Sequence, residues 1–123
     1  MMTEKELKVI IKAKELCKHT FVLTSNANRY PKKYRHSLVD RMQLKSIDIY
    51  TELFEANRTS NITDKQERLK KISNAITYCD ELLFLIELSM QLNLLSDGSM
   101  AYWTEMICDV KYMAIAWRTK ERN

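Results

Sequence analysis

Apolar residues recur along this chain at steps of three, four and seven, the spacing that lines one face of an α-helix. Leu7, Ile10, Cys17, Phe21 and Thr24 make the first stripe, and Thr3 with Glu6 ahead of it has the spacing of a capping box. The pattern fades at Ser25-Asn26-Ala27-Asn28. A second helix is predicted to start near Pro31, because proline's missing N–H costs nothing at the first helical position. Its inward face holds Leu38, Met42, Ile49, Leu53 and Ala56, and the polar run Asn57-Arg58-Thr59-Ser60-Asn61 reads as the next loop. Thr63 with Gln66 predicts another capping box, opening a third helix with the inward stripe Ile72, Ala75, Ile76, Cys79, Leu83, Ile86 and Met90. Asn93 is suited to end that helix in the left-handed conformation. Ser96 is suited to cap a fourth, with Leu95 and Met100 spaced as a hydrophobic staple. Trp103, Ile107, Val110, Ala114 and Trp117 form the last stripe, and the basic end Arg118, Lys120, Arg122 suits a helix C-terminus.

Four helices of roughly 20 to 30 residues with short loops predict an all-α fold, an antiparallel up-down-up-down four-helix bundle. Residues 1–123 are expected to form a single domain. From Leu82 onward the third helix is apolar on its opposite side too, through Leu85, Leu88, Leu92 and Leu95. Such a helix is either central or buried a second time against another subunit. Leu85, Leu88 and Leu92 are therefore candidate oligomer-interface residues.

Composition narrows the choice further. The chain has 123 residues with one Gly and one Pro. Tight β-turns and phosphate-cradling loops both need glycines, so a β-sandwich, a Rossmann fingerprint and a Walker loop are excluded. Hydrophobic residues make up 46%, enough apolar surface for a core. No stretch reaches the roughly 18 uncharged apolar residues of a membrane span, and the opening MMTEKELK has no apolar signal core. Cys17, Cys79 and Cys108 are odd in number and far apart, which fits free thiols in a reducing compartment. A cytoplasmic location is the expectation.

Candidate chemistry is sparse. A di-iron bundle needs two Glu-x-x-His motifs and two more inward Glu, whereas the two histidines here, His19 and His36, lack that spacing. Clustered zinc ligands are missing, so no metal and no cofactor are expected. No strained turn presents a nucleophilic serine, and no catalytic residue is assigned. Arg29 and His36, with six residues between them, resemble the Arg-x(4–6)-His motif of HEPN ribonucleases. That resemblance implies an alternative in which two Arg/His pairs meet across a dimer to cleave RNA.

Charge distribution is more informative. The net charge is +4, but residues 1–61 hold 12 basic and 7 acidic residues while residues 62–123 hold 8 and 9. Arg29, Lys32, Lys33, Arg35, Arg41 and Lys45 fall within 17 residues, opposed only by Asp40 and interleaved with Tyr30 and Tyr34. Cations at a helix N-terminus oppose the helix dipole and add little to folding. These six are candidate nucleic-acid-binding residues, through phosphate contacts that read no sequence. Lys65, Arg68, Lys70 and Lys71 form a second basic cluster. Tyr102, Trp103, Tyr112 and Trp117 are expected in the core or an interface. Base stacking would need them exposed beside cations. A purely structural oligomeric scaffold, with its basic face serving only solubility, is the third possibility.

The segment NRYPKKYRHSLVDRM, a polar loop and an aromatic-Pro pair before a basic, Leu-containing helix start, resembles the family of 23S rRNA intervening-sequence proteins. The sister group is the accessory variability determinant of diversity-generating retroelements. Leu92-Asn93-Leu94-Leu95-Ser96 stands where that family has a Leu-Gly-x-Leu-Ser turn, and Ala116-Trp117 is similar to its Gly-Trp pair. The resemblance implies a four-helix bundle assembled into a pentameric ring. It also implies a non-enzymatic role on RNA or cDNA, with a reverse transcriptase as protein partner.

Overall fold

Four α-helices account for the periodic segments: α1 (Glu4–Thr24), α2 (Asp40–Arg58), α3 (Lys65–Gln91) and α4 (Asp97–Arg122). The computed structural model describes residues 4–123, with side chains from Lys8 onward. Thr3 of the first capping box, and the Glu6 and Leu7 side chains, lie outside what is described. Among the described residues there is no β-strand, and no helix is long and apolar enough to cross a membrane.

α2 packs against α1 and α3, and α4 packs against the same two helices, so four faces meet on one core. Trp103, Leu16, Met42, Ile49, Leu53, Ile72, Leu82, Ile86 and Ile107 are fully buried there. Each such side chain contributes about 1.5–3 kcal/mol of transfer free energy. The predicted stripes of α2 and α4 are the buried faces, from Leu38 to Ala56 and from Trp103 to Trp117.

The other two faces depart from expectation in part: Ile10 and Thr24 of α1 and Ile72, Ala75, Ile76, Cys79 and Ile86 of α3 are buried as predicted, and the rest shift. α1 buries Val9, Ile10, Ala13, Leu16, Thr20 and Thr24, and leaves Cys17 and Phe21 half-exposed. Thr20 and Thr24 can face inward because each hydroxyl donates to its own helix, to Leu16 O at 2.9 Å and Thr20 O at 2.7 Å. Thr20 Oγ1 also accepts the Trp103 indole N–H at 3.2 Å. On α3, Leu82, Leu85 and Ser89 are buried, while Leu83 and Met90 are half-exposed. Ser89 is tolerated inside for the same reason, donating to Leu85 O at 2.8 Å. Leu85 is therefore a correction: it belongs to the chain's own core and has little surface for a second subunit. Leu88 is half-buried, and Leu92 at the helix end is exposed.

The helix ends are set by side chains and one special backbone angle. Asn93 has φ 63°, and the Asn93 and Leu94 N–H groups donate to Met90 O and Ser89 O, both at 2.9 Å. That pair of bonds is a Schellman motif, which satisfies the last carbonyls of α3. Ser96 Oγ accepts the Ser99 N–H at 3.1 Å and caps α4 as expected. The Thr63–Gln66 capping box does not form. The turn closed by Asp64 N–H on Ser60 O holds Thr63 ahead of the helix, and its hydroxyl donates to Asp64 Oδ2 instead. Pro31 also sits outside a helix proper, with ψ 156°. A 3₁₀ turn (Lys32–Tyr34) and a π-helical turn (Arg35–Val39) intervene before α2 begins at Asp40.

Candidate nucleic-acid interface

The basic stretch is held in place from its N-terminal side. Asn26 O accepts the N–H groups of Arg29 and Tyr30 at 3.0 and 2.8 Å, and Asn26 Oδ1 accepts that of Asn28. Tyr30 then plugs into the core. Burial pushes its hydroxyl pKa up, against smaller opposing effects of Ser89 and Arg29. Pro31 redirects the chain, and its carbonyl accepts the Tyr34 N–H at 2.9 Å. The following π-helical turn closes on Arg35 O, which accepts the Asp40 N–H. Such wide turns inside helices concentrate at functional sites. Leu38 and Val39 are buried, which leaves Lys32, Lys33, Arg35, His36 and Ser37 facing outward.

Among the described residues, no carboxylate lies within ion-pair distance of Lys32, Lys33, Arg35 or Arg41. Lys33 Nζ stands 5.2 Å over the Tyr34 ring. Lys32 and Arg35 share a cleft of about 310 Å³ with Thr24, Ser25, Asp40 and Gln43. The cleft wall is braced by Gln43 Nε2, which donates to Thr24 Oγ1 at 3.0 Å. Partial positive charge at a helix start adds to these cations and favours an anion there.

The six predicted residues do not form one patch. Lys32, Lys33 and Arg35 cluster at the entry to α2. Arg41 is exposed further along and borders a groove between α2 and α3. Arg29 is half-buried and donates from Nη1 to Ser99 Oγ at 2.8 Å, tying the loop to the first turn of α4. Lys45 pairs with Glu81 at 2.8 Å and covers the Tyr78 ring at 4.4 Å. These two side chains brace the bundle.

The second basic cluster is not a surface feature at its centre. Arg68 is buried, bonded to Glu121 at 2.7 Å and to the carbonyls of Ala56 and Thr59 at 3.2 and 2.9 Å. Its guanidinium also lies 5.1 Å from the Trp117 ring. Lys71 pairs with Glu55 and Glu67, and its pKa is raised chiefly by the hydrogen bond to Glu55. The spacing of Arg68 from Ile72, Ala75 and Cys79 is that of the inward stripe, a signal that residue counting by charge overlooks.

Aromatic residues divide. Trp103 and Trp117 are core, whereas Tyr102 and Tyr112 are exposed. Tyr102 borders Glu15, Glu105 and Asp109, a poor neighbourhood for phosphate. Phe84, which the sequence pattern does not single out, stands 60% exposed in the α2–α3 groove beside Arg41. Its signal was an aromatic one step off the buried α3 face.

His36 is 89% exposed and 3.1 Å from Asp40, while Arg29 is engaged with Ser99. The two members of the ribonuclease-like pair thus have different partners. Cys17, Cys79 and Cys108 are free thiols, and burial pushes Cys79 up to about 12. Among the described residues no three His, Cys, Asp or Glu side chains gather into a metal site. Comparison of the chain with protein-family models, curated proteins and solved structures finds no match.

Proposed function

We propose that this chain is a non-enzymatic nucleic-acid-binding protein whose phosphate contacts are Lys32, Lys33, Arg35 and Arg41. The observation that carries the reading is that these four exposed cations have no carboxylate partner among the described residues. Lys45, Lys71 and Lys111 are paired, with Glu81, Glu55 and Asp80; Lys14, Lys18 and Lys70 are exposed without such a pair among the described residues, but Lys32, Lys33 and Arg35 crowd within four residues at the entry to α2. An unpaired cluster holds mobile counterions, and releasing them drives binding to a polyanion.

The bundle is antiparallel, up-down-up-down. Support comes from the α2–α3 contacts, which run in opposite order along the two helices: Glu55 with Lys71, Glu52 with Asn74, Lys45 with Glu81. The pentameric ring, the RNA or cDNA ligand and the reverse transcriptase partner rest on the family resemblance. Leu88 and Leu92 remain its candidate interface residues. Three free thiols are in keeping with a reducing, cytoplasmic setting.

The test is fluorescence anisotropy of labelled RNA across a salt series. Four phosphate contacts predict a slope of log K against log salt of about −3 for a single strand. Reversing charge at Lys32, Lys33, Arg35 and Arg41 together is expected to abolish binding. Retained affinity in that variant would refute the assignment. The His36–Asp40 pair is the single observation favouring a ribonuclease. RNA cleavage that disappears in His36→Ala would establish that reading in its place.

A further inference from the structure

We propose that the groove between α2 and α3 takes the bases of a single-stranded polynucleotide whose phosphates lie on the basic entry to α2. This rests on the nucleic-acid reading above and narrows the ligand class. The groove has a volume of about 710 Å³, within the roughly 300–1,000 Å³ of pockets that hold small organic ligands. That leaves room for a nucleobase.

Three features favour bases. Leu44 from α2 and Phe84 from α3 both line the groove, 58% and 60% exposed, together with the buried Leu85. A solvent-facing phenyl ring is a stacking platform for any base, at about 1–3 kcal/mol per base. Arg41 belongs both to the unpaired cations and to this groove, so a strand on the basic entry continues into it. The acids sort the ligand's parts. Lys111 engages Asp80 at 2.6 Å and Lys45 engages Glu81 at 2.8 Å, while Asp48 has no cation within ion-pair distance among the described residues. A free carboxylate repels phosphate but accepts from the exocyclic amines of bases. Phe84 stands beside Arg41 at one end of the groove and Asp48 lies toward the other, so a phosphate held by Arg41 stays away from the carboxylate and sets its base on the Phe84 ring. A duplex keeps its base faces stacked inside, out of reach of the Phe84 ring, which makes the groove selective for single strands.

The experiment uses the full chain and a labelled RNA of about ten nucleotides, alone and annealed to its complement. Wild type is expected to bind the single strand more tightly than the duplex. Phe84→Leu, which keeps apolar bulk but cannot stack, is expected to weaken single-strand binding about tenfold and leave duplex binding unchanged. Phe84→Tyr is expected to retain it, and Tyr102→Ala, on the α1–α4 side, to change neither. If Phe84→Leu binds the single strand as wild type does while the four-charge reversal still abolishes binding, the base groove is overturned and the phosphate site stands. If wild type binds neither nucleic acid, the function itself fails. A Phe84→Leu variant whose mass in light scattering changes, with affinity unaltered, would assign the groove to a second copy of the chain and overturn the proposal.

Discussion

Arg68 and Glu121 carry the most concentrated interaction in the molecule. Their side chains are 8% and 11% exposed, and Glu121 Oε1 also accepts the Trp117 indole N–H at 3.0 Å. Burial alone raises the Glu121 pKa, but the hydrogen bonds from Arg68 and Trp117 outweigh it and hold the carboxyl below its usual range. The carboxylate's stabilisation is therefore present above the unfolded value of 4.5 and is lost as pH falls below it. Removing one partner strands the other charge, so Arg68→Ala is expected to cost about 3–5 kcal/mol in urea unfolding. The joint replacement Arg68→Met with Glu121→Leu is expected to cost much less. His19 acts in the opposite charge sense. Its ring packs edge-on to Tyr102 and Trp103 at 5.1 and 6.0 Å, its Nε2 is buried without a hydrogen-bond partner, and burial lowers its pKa. Above 6.5 the imidazole is neutral in both states; below it the unfolded chain takes up a proton that the folded one resists. Stability is expected to fall as pH drops below about 6.5, and His19→Phe is expected to flatten that slope in urea melts.

At the scale of elements, the turn between α3 and α4 shows how a chain with a single glycine ends its helices. Asn93 at φ 63° pays a penalty that glycine would not. Asn93→Gly is expected to preserve or raise the melting temperature, whereas Asn93→Val is expected to cost about 1–2 kcal/mol. Differential scanning calorimetry separates the two outcomes. This turn was legible because asparagine before a serine cap has a local mechanism. The entry to α2 was legible only as a helix start. Its 3₁₀ and π-helical turns depend on Tyr30, Leu38 and Val39 all reaching the core, and no local rule encodes that. Likewise the faces of α1 and α3 were displaced because Thr20 and Ser89 count as polar in a pattern. They bury readily once the helix accepts their hydroxyls.

At the scale of the whole molecule, the unpaired cations, the Phe84 groove and the exposed Leu92 are all features of the bundle's outside. A ring of five copies is expected to give a light-scattering mass near five times 14.6 kDa, and a stable monomer would remove the ring. What the amino-acid sequence determined by itself is what depends on near neighbours: four helices, the inward faces of α2 and α4, the Asn93 and Ser96 ends, and an excess of cations before α2. Periodicity and capping act within a turn or two, so they can be read along the chain. Which charges are free was decided only by tertiary structure. Arg68 and Lys45 count the same as Lys32 and Arg41 in a sequence, yet Glu121 and Glu81 reach the first two from other helices. Coulomb attraction depends on distance in space, and packing brings those carboxylates close only after the bundle has formed.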